Sequence, residues 1–140
     1  MAGFRNPIRL EETDQCNGGR TVYRLLEPVE FCVGAEPSCL LIRVPEGYRF
    51  DGASVPRILW GVFEPLGRHA KPACVHDWLY AGGVSRWMAD AIFREALSVV
   101  GEPFWKAWLA WLAVRLFGRS HYRTLQKREK RQWPRKQNAN

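Results

Sequence analysis

The sequence predicts an α+β fold: a small antiparallel sheet from the N-terminal third, packed against about four helices and followed by a basic C-terminal tail. Three observations predict it. Short β-leaning runs separated by turn residues fill the first fifty positions. Apolar residues then recur at helical spacing from Val55 to Phe117. Beyond that point eight Lys or Arg face the single Glu129, whereas residues 1–117 hold thirteen basic and thirteen acidic residues, so the formal charge of +7 belongs to the end of the chain. A length of 140 residues suits one core. The organisation expected is a single domain over 1–117 and a tail, helical or flexible, over 118–140. With 46% apolar residues and seven Trp, the material for a core is ample and intrinsic disorder is excluded outside the C-terminus.

The strands are expected at 7–10, 21–26, 30–33, 40–44 and 48–50. Asn17-Gly18-Gly19, Gly34-Ala35-Glu36-Pro37 and Pro45-Glu46-Gly47 supply the turns between them. Asp51-Gly52 is a further turn signal, and Ser54 two residues before Pro56 looks like a helix cap. The first helix then carries Ile58, Leu59, Val62 and Phe63 and ends at Pro65-Leu66-Gly67. A second covers about 71–80 and stops at Gly82-Gly83. Ser85 caps a third, whose apolar stripe is Met88, Ile92, Ala96 and Val99 with Ala89 and Phe93, closed by Gly101. A fourth, 103–117, is apolar almost all round, with only Lys106 and Arg115 charged, and Gly118 is expected to break it. At about fifteen residues it is shorter than the twenty or so that cross a bilayer, so no transmembrane segment is predicted.

The chemistry concentrates between Phe50 and Tyr80. On a helix His76 and Tyr80 lie four apart and Asp77 and Tyr80 three apart, so imidazole, carboxylate and phenol share one edge. Histidine changes charge near neutral pH, and a neighbouring carboxylate fixes its tautomer or binds a cation. Arg86, Asp90 and Arg94 follow at intervals of four; they form either a solvated charge ladder or a face from which Asp90 turns inward to hold Tyr80 or His76. Residues 1–14 contain Arg5, Arg9, Glu11 and Glu12 and no apolar run, so no secretion signal is expected, and Cys16, Cys32, Cys39 and Cys74 are expected as reduced thiols in a cytoplasm. A zinc site from Cys32, Cys39 and Cys74-Val75-His76 lacks the usual close cysteine pair, which favours buried thiols.

These motifs resemble a family of small tailed-bacteriophage and prophage proteins of unknown function. The shared pattern is V-P-x-G-[FY]-x-x-D-G-A-S-x-P, then H-D-x-x-Y, then R-x-x-A-D-x-x-F. The matching residues are Val44-Pro45, Gly47-Tyr48, Asp51 to Ser54 with Pro56, His76, Asp77, Tyr80, Arg86, Ala89-Asp90 and Phe93, and Trp60 fits the aromatic expected after the first motif. The resemblance covers roughly 21–117 and implies phage origin, hence the host cytoplasm or the virion as location. It implies no activity. H-D-x-x-Y is also similar, more distantly, to the active-site helix of secreted calcium-dependent phospholipases. That likeness would make His76 the base, Asp77 the calcium ligand, and Tyr80 with Asp90 the orienting pair, although the glycine-rich calcium loop and the cysteine ladder of those enzymes are missing.

Two readings of function follow. In the first, the chain is a small hydrolase: His76 acts as general base, Asp77 and Asp51 hold a divalent cation, Tyr80, Asp90 and Arg86 support them, and Ser54 is an alternative nucleophile better explained as a cap. Lipid, peptidoglycan or nucleic acid would be its substrate. In the second, the same residues form a buried structural network in a noncatalytic tail, neck or assembly component. Phage structural proteins or a host component would then dock on the helix that contains Trp105 and Phe117, and a third reading makes the chain an inhibitor of host defence. The basic tail, with Tyr122 and Trp133 among its cations, is a weak nucleic-acid signal.

Overall fold

The computed structural model describes residues 3–17, 19–50 and 67–137, with the side chains of the last helix as far as Lys127. Within them the chain order is β1 (Gly3–Phe4), β2 (Leu10–Asn17), β3 (Arg20–Leu25), β4 (Val29–Val33), β5 (Leu40–Val44), β6 (Arg49–Phe50), α1 (Ala70–Ala81), α2 (Arg86–Val99) and α3 (Phe104–Gln137). The fold is α+β, as the sequence predicts. The helix expected at 55–63, together with Asp51 and Ser54, lies outside the described residues.

The strands form two antiparallel sheets instead of one, ordered β1-β4-β5 and β2-β3-β6. Each is a hairpin that takes up one short extra strand. The break falls between β3 and β4 at Pro28, which has no N–H to continue a ladder. Asn6 bonds across the break, donating to the Pro28 carbonyl at 2.5 Å and accepting from Glu30 N at 3.1 Å. The expected strand at 7–10 is displaced to Leu10–Asn17, where Leu10 pairs with Leu25 and Glu11 with Arg24. Its side chains are mostly polar and partly or fully exposed, so no apolar alternation betrayed it. At the turn before β6, Gly47 takes φ +83° and donates its N–H to the Leu25 carbonyl at 2.9 Å, a conformation that favours glycine.

The expectation of four thiols is corrected for two of them. The β4–β5 hairpin pairs Val33 with Leu40 and so draws Cys32 and Cys39 together, and they are joined in a disulfide with Cα atoms 5.5 Å apart. Cys16 is an exposed thiol and Cys74 a buried one.

The main core gathers Leu25, Val29, Phe31, Ile42, Val44 and Phe50 from the sheets against Cys74, Val75, Leu79 and Tyr80 of α1 and Ala89, Ile92 and Ala96 of α2. α1 ends before Gly82 and Gly83, and the Ser85 hydroxyl caps α2 by accepting from Met88 N at 3.4 Å. The buried face of α2 is Ala89, Asp90, Ile92, Phe93, Ala96 and Leu97; Met88 and Val99, expected in the stripe, are exposed. The inward face is rotated toward Asp90, Phe93 and Leu97, which α1 and α3 close upon.

Gly118 does not end the last helix. α3 runs through it, and Tyr122 and Leu125 beyond it pack against the main core. The residues that α3 buries are small: Ala107, Ala110, Ala113, Val114 and Gly118. At Gly118 the backbone passes so close to α1 that an added Cβ would lie 2.8 Å from the Tyr80 hydroxyl. Gly118→Ala is therefore expected to destabilise the fold by about 1–3 kcal/mol through overpacking, less a gain of up to about 1 kcal/mol in helix propensity. Urea denaturation measures it; a midpoint equal to or above that of the unaltered chain would mean that α3 does not press on Tyr80.

Candidate functional site

His76, Asp77 and Tyr80 sit on the part of α1 that faces the other two helices. The i, i+4 spacing stacks His76 beside Tyr80, with ring centroids 4.1 Å apart, and Phe93 of α2 stands 4.7 Å from the imidazole. Asp90 reaches across from α2 into this pair. Its Oδ1 accepts from His76 Nε2 at 2.7 Å and from the Tyr80 hydroxyl at 2.5 Å, while its Oδ2 accepts from Arg115 Nη1 of α3 at 2.8 Å. His76 and Asp90 are wholly buried, and Arg115 is the member that reaches solvent, its side chain 28% exposed.

The electrostatics follow from that arrangement. Burial alone would raise the Asp90 pKa, but hydrogen bonds from His76, Tyr80 and Arg115 more than offset it, so the carboxyl titrates below its ordinary range and is ionised. Burial pushes the Tyr80 phenol well above its usual value, and its bond to Asp90 pushes it further, so it remains a protonated donor. The Cys74 thiol is also driven up, by burial first and then by Asp77, which makes it a poor nucleophile. With Asp90 accepting at Nε2, the basic nitrogen of the neutral His76 ring is Nδ1. That atom is buried and has no hydrogen-bond partner among the described residues.

The ladder of Arg86, Asp90 and Arg94 does not form along one face. Arg86 donates through Nη2 to the carbonyls of Val114 at 2.9 Å and Arg115 at 2.8 Å, stapling the start of α2 to α3. Arg94 stacks on the aromatic rings of α3, its guanidinium carbon 4.3 Å from the Trp108 centroid. Asp90 turns fully inward, and Arg86, its Nε buried, turns toward α3. Asp77, one residue beyond His76, is nearly fully buried and accepts from His121 Nε2 of α3 at 3.1 Å. Gln126 Nε2 donates to the Tyr80 carbonyl at 2.5 Å.

The structure thus brings together His76, Tyr80 and Asp90, sets Asp77 beside them on a second histidine, and uses Arg86 as a helix-to-helix clamp. Arg115, His121 and Gln126 were missed as site residues. All three come from α3, and a helix expected to stop at Gly118 could not carry His121 or Gln126 back to α1. The signal available for Arg115 was its position as an isolated charge in an apolar segment. Among the described residues the one set of three ligand-type side chains within reach of a common ion is Cys32, Glu36 and Cys39, of which two are bonded to each other.

The network has a pH signature. A carboxyl in the unfolded chain titrates near about pH 3.9, and Asp90 in the folded chain lies below its ordinary value. Its contribution is therefore complete above the unfolded value and is lost as pH falls through the folded one. Asp90→Asn leaves His76 and Arg115 without their carboxylate and is expected to cost about 3–5 kcal/mol at pH 7. Denaturation midpoints should converge between variant and unaltered chain as the pH is lowered below about 4; parallel acid limbs would show that Asp90 is not held as an ionised partner.

No solved structure matches the chain. The chain is similar to the uncharacterized protein y4jT of Sinorhizobium fredii (strain NBRC 101917 / NGR234), with 35% identity over 89 residues, which is 59% of this chain and 26% of that protein. The chain spans about a quarter of the length of that relative. The profile of DUF1353, a family described as proteins of unknown function, matches residues 23–114. The matched stretch contains His76, Asp77, Tyr80, Arg86 and Asp90 and stops short of Arg115 and His121. Since that match covers well over half of the sequence, the chain belongs to the DUF1353 family.

Proposed function

We propose that the chain is a small hydrolase in which His76 is the general base. His76 Nδ1 carries this reading: it is a buried basic nitrogen without a hydrogen-bond partner among the described residues, on a ring whose other nitrogen is held by an ionised carboxylate. A buried polar atom left without a partner costs free energy, and a water or substrate atom at Nδ1 would satisfy it. A water there would give its proton to Nδ1 as its oxygen attacks an acyl or phosphoryl centre, and the same proton would pass to the leaving oxygen. Asp90 stabilises the imidazolium formed between those steps, and Tyr80 and Arg115 hold Asp90 in place. A divalent cation on Asp77 and Asp51 would supply charge stabilisation at the scissile group. The phage or prophage origin implied by the motif pattern makes lipid, peptidoglycan and nucleic acid the substrates to test.

A noncatalytic virion or assembly component is the second reading. The complete burial of His76 and Asp90, with Tyr80 fully buried beside them, favours it, since such a network also fixes three helices together.

Hydrolysis of chromogenic carboxylic esters and phosphodiesters and of purified peptidoglycan separates the two. If His76 is the base, His76→Ala lowers turnover about 10²–10⁴-fold and the protein still folds. If the network is structural, no substrate turns over and the same substitution lowers stability by about 1–3 kcal/mol. Thermal unfolding with calcium, magnesium, manganese and zinc tests the cation: a saturable rise in Tm with one ion, absent from Asp77→Asn, supports it, and no rise with any ion removes it.

A further inference from the structure

We propose that the outward face of α3 docks on an anionic lipid bilayer. Because the first half of α3 buries its alanines and Val114, several of its large apolar side chains there point away from the core. Trp105 is 58% exposed, Trp108 40%, Leu112 48% and Leu116 64%. These residues are spaced by three or four, so they lie along one stripe. The same spacing continues the stripe through Arg119, Arg123 and Lys127, each exposed. One face is thus apolar for about 17 Å and cationic for about the next 12 Å, at the rise of an α-helix.

Phe104 and Phe117, 78% and 62% exposed, widen the apolar half, and Trp87 of α2 adds a further ring beside Trp111. The sequence of α3 holds ten Lys or Arg and one acidic residue, Glu129. Charge complementarity therefore selects an anionic occupant, and the apolar half selects one with hydrocarbon to offer. Nucleic acid supplies phosphates and stacking surfaces but no partner for Leu112 and Leu116. An anionic bilayer supplies both: Trp and Leu side chains enter the headgroup boundary and the basic residues meet lipid phosphates. No helix among the described residues is long and apolar enough to cross a membrane, so the contact expected is parallel to the surface. The proposal stands apart from the chemistry assigned to His76.

The test is cosedimentation of the full chain with vesicles of phosphatidylcholine alone and of phosphatidylcholine mixed with phosphatidylglycerol. Binding to the mixed vesicles, released by salt, is expected, and it should weaken about tenfold or more in Leu112→Asp/Leu116→Asp and in Arg119→Glu/Arg123→Glu. Circular dichroism checks that both variants fold; if either does not, the salt dependence of the unaltered chain decides. Absence of binding to the mixed vesicles overturns the proposal, as does binding that either salt or the Asp substitutions leave unchanged. Self-association abolished by Leu112→Asp/Leu116→Asp, without vesicle binding, overturns it in favour of a second copy of the chain.

Discussion

A single buried charge sets the geometry of the helical half. Asp90 lies in the interior ionised, and an ion there is tolerated only when its lone pairs are filled by well-placed donors. Those donors come from two other helices, His76 and Tyr80 from α1 and Arg115 from α3. The relative positions of α1, α2 and α3 are therefore fixed by hydrogen bonds less than 3 Å long, in addition to apolar packing, which tolerates sliding more readily. Removing any one donor leaves the others arranged around an undercompensated charge, so the network acts as a unit.

That requirement explains the composition of α3. Arg115 and Tyr80 can meet Asp90 together only if the α3 backbone passes close to α1, and close approach demands small residues on the facing side. Gly118 meets it against Tyr80 of α1, while Ala107, Ala110 and Val114 pack on Phe93 and Leu97 of α2. Large apolar residues are then displaced to the outside, which inverts the usual amphipathic arrangement. Trp105, Phe104 and Leu116 are exposed as a consequence of where the alanines must lie.

How much of this was legible varies with the kind of signal. Ser85, Gly82-Gly83 and Gly101 mark helix ends by local backbone chemistry, and α1 and α2 fall where they indicate. The pair Asp51 and Ser54 falls outside the described residues. The inward turn of Asp90 was one of two alternatives left open by the spacing of four, because periodicity gives a face but not which neighbour occupies it. β2 was displaced because its polar, half-wet side chains show no alternation, its position being set by pairing with β3. Gly118 misled most: glycine marks a helix end when backbone freedom is needed and a close crossing when space is needed, and only the tertiary contact with Tyr80 distinguishes the two. Cys32 and Cys39 show the same dependence, since seven residues of separation say nothing until the hairpin register is known.

Arg115 joins the interior of the molecule to its exposed aromatic face. One nitrogen of its guanidinium holds Asp90 Oδ2, while the group as a whole lies 5.3 Å from the Trp87 ring, which is 65% exposed. Water now reaches part of this cation and screens its pair with Asp90. Asp90 in turn holds the His76 ring in place through the bond to Nε2. The buried network thus reaches the outer face through a single guanidinium, which is the one member of the set with solvent exposure.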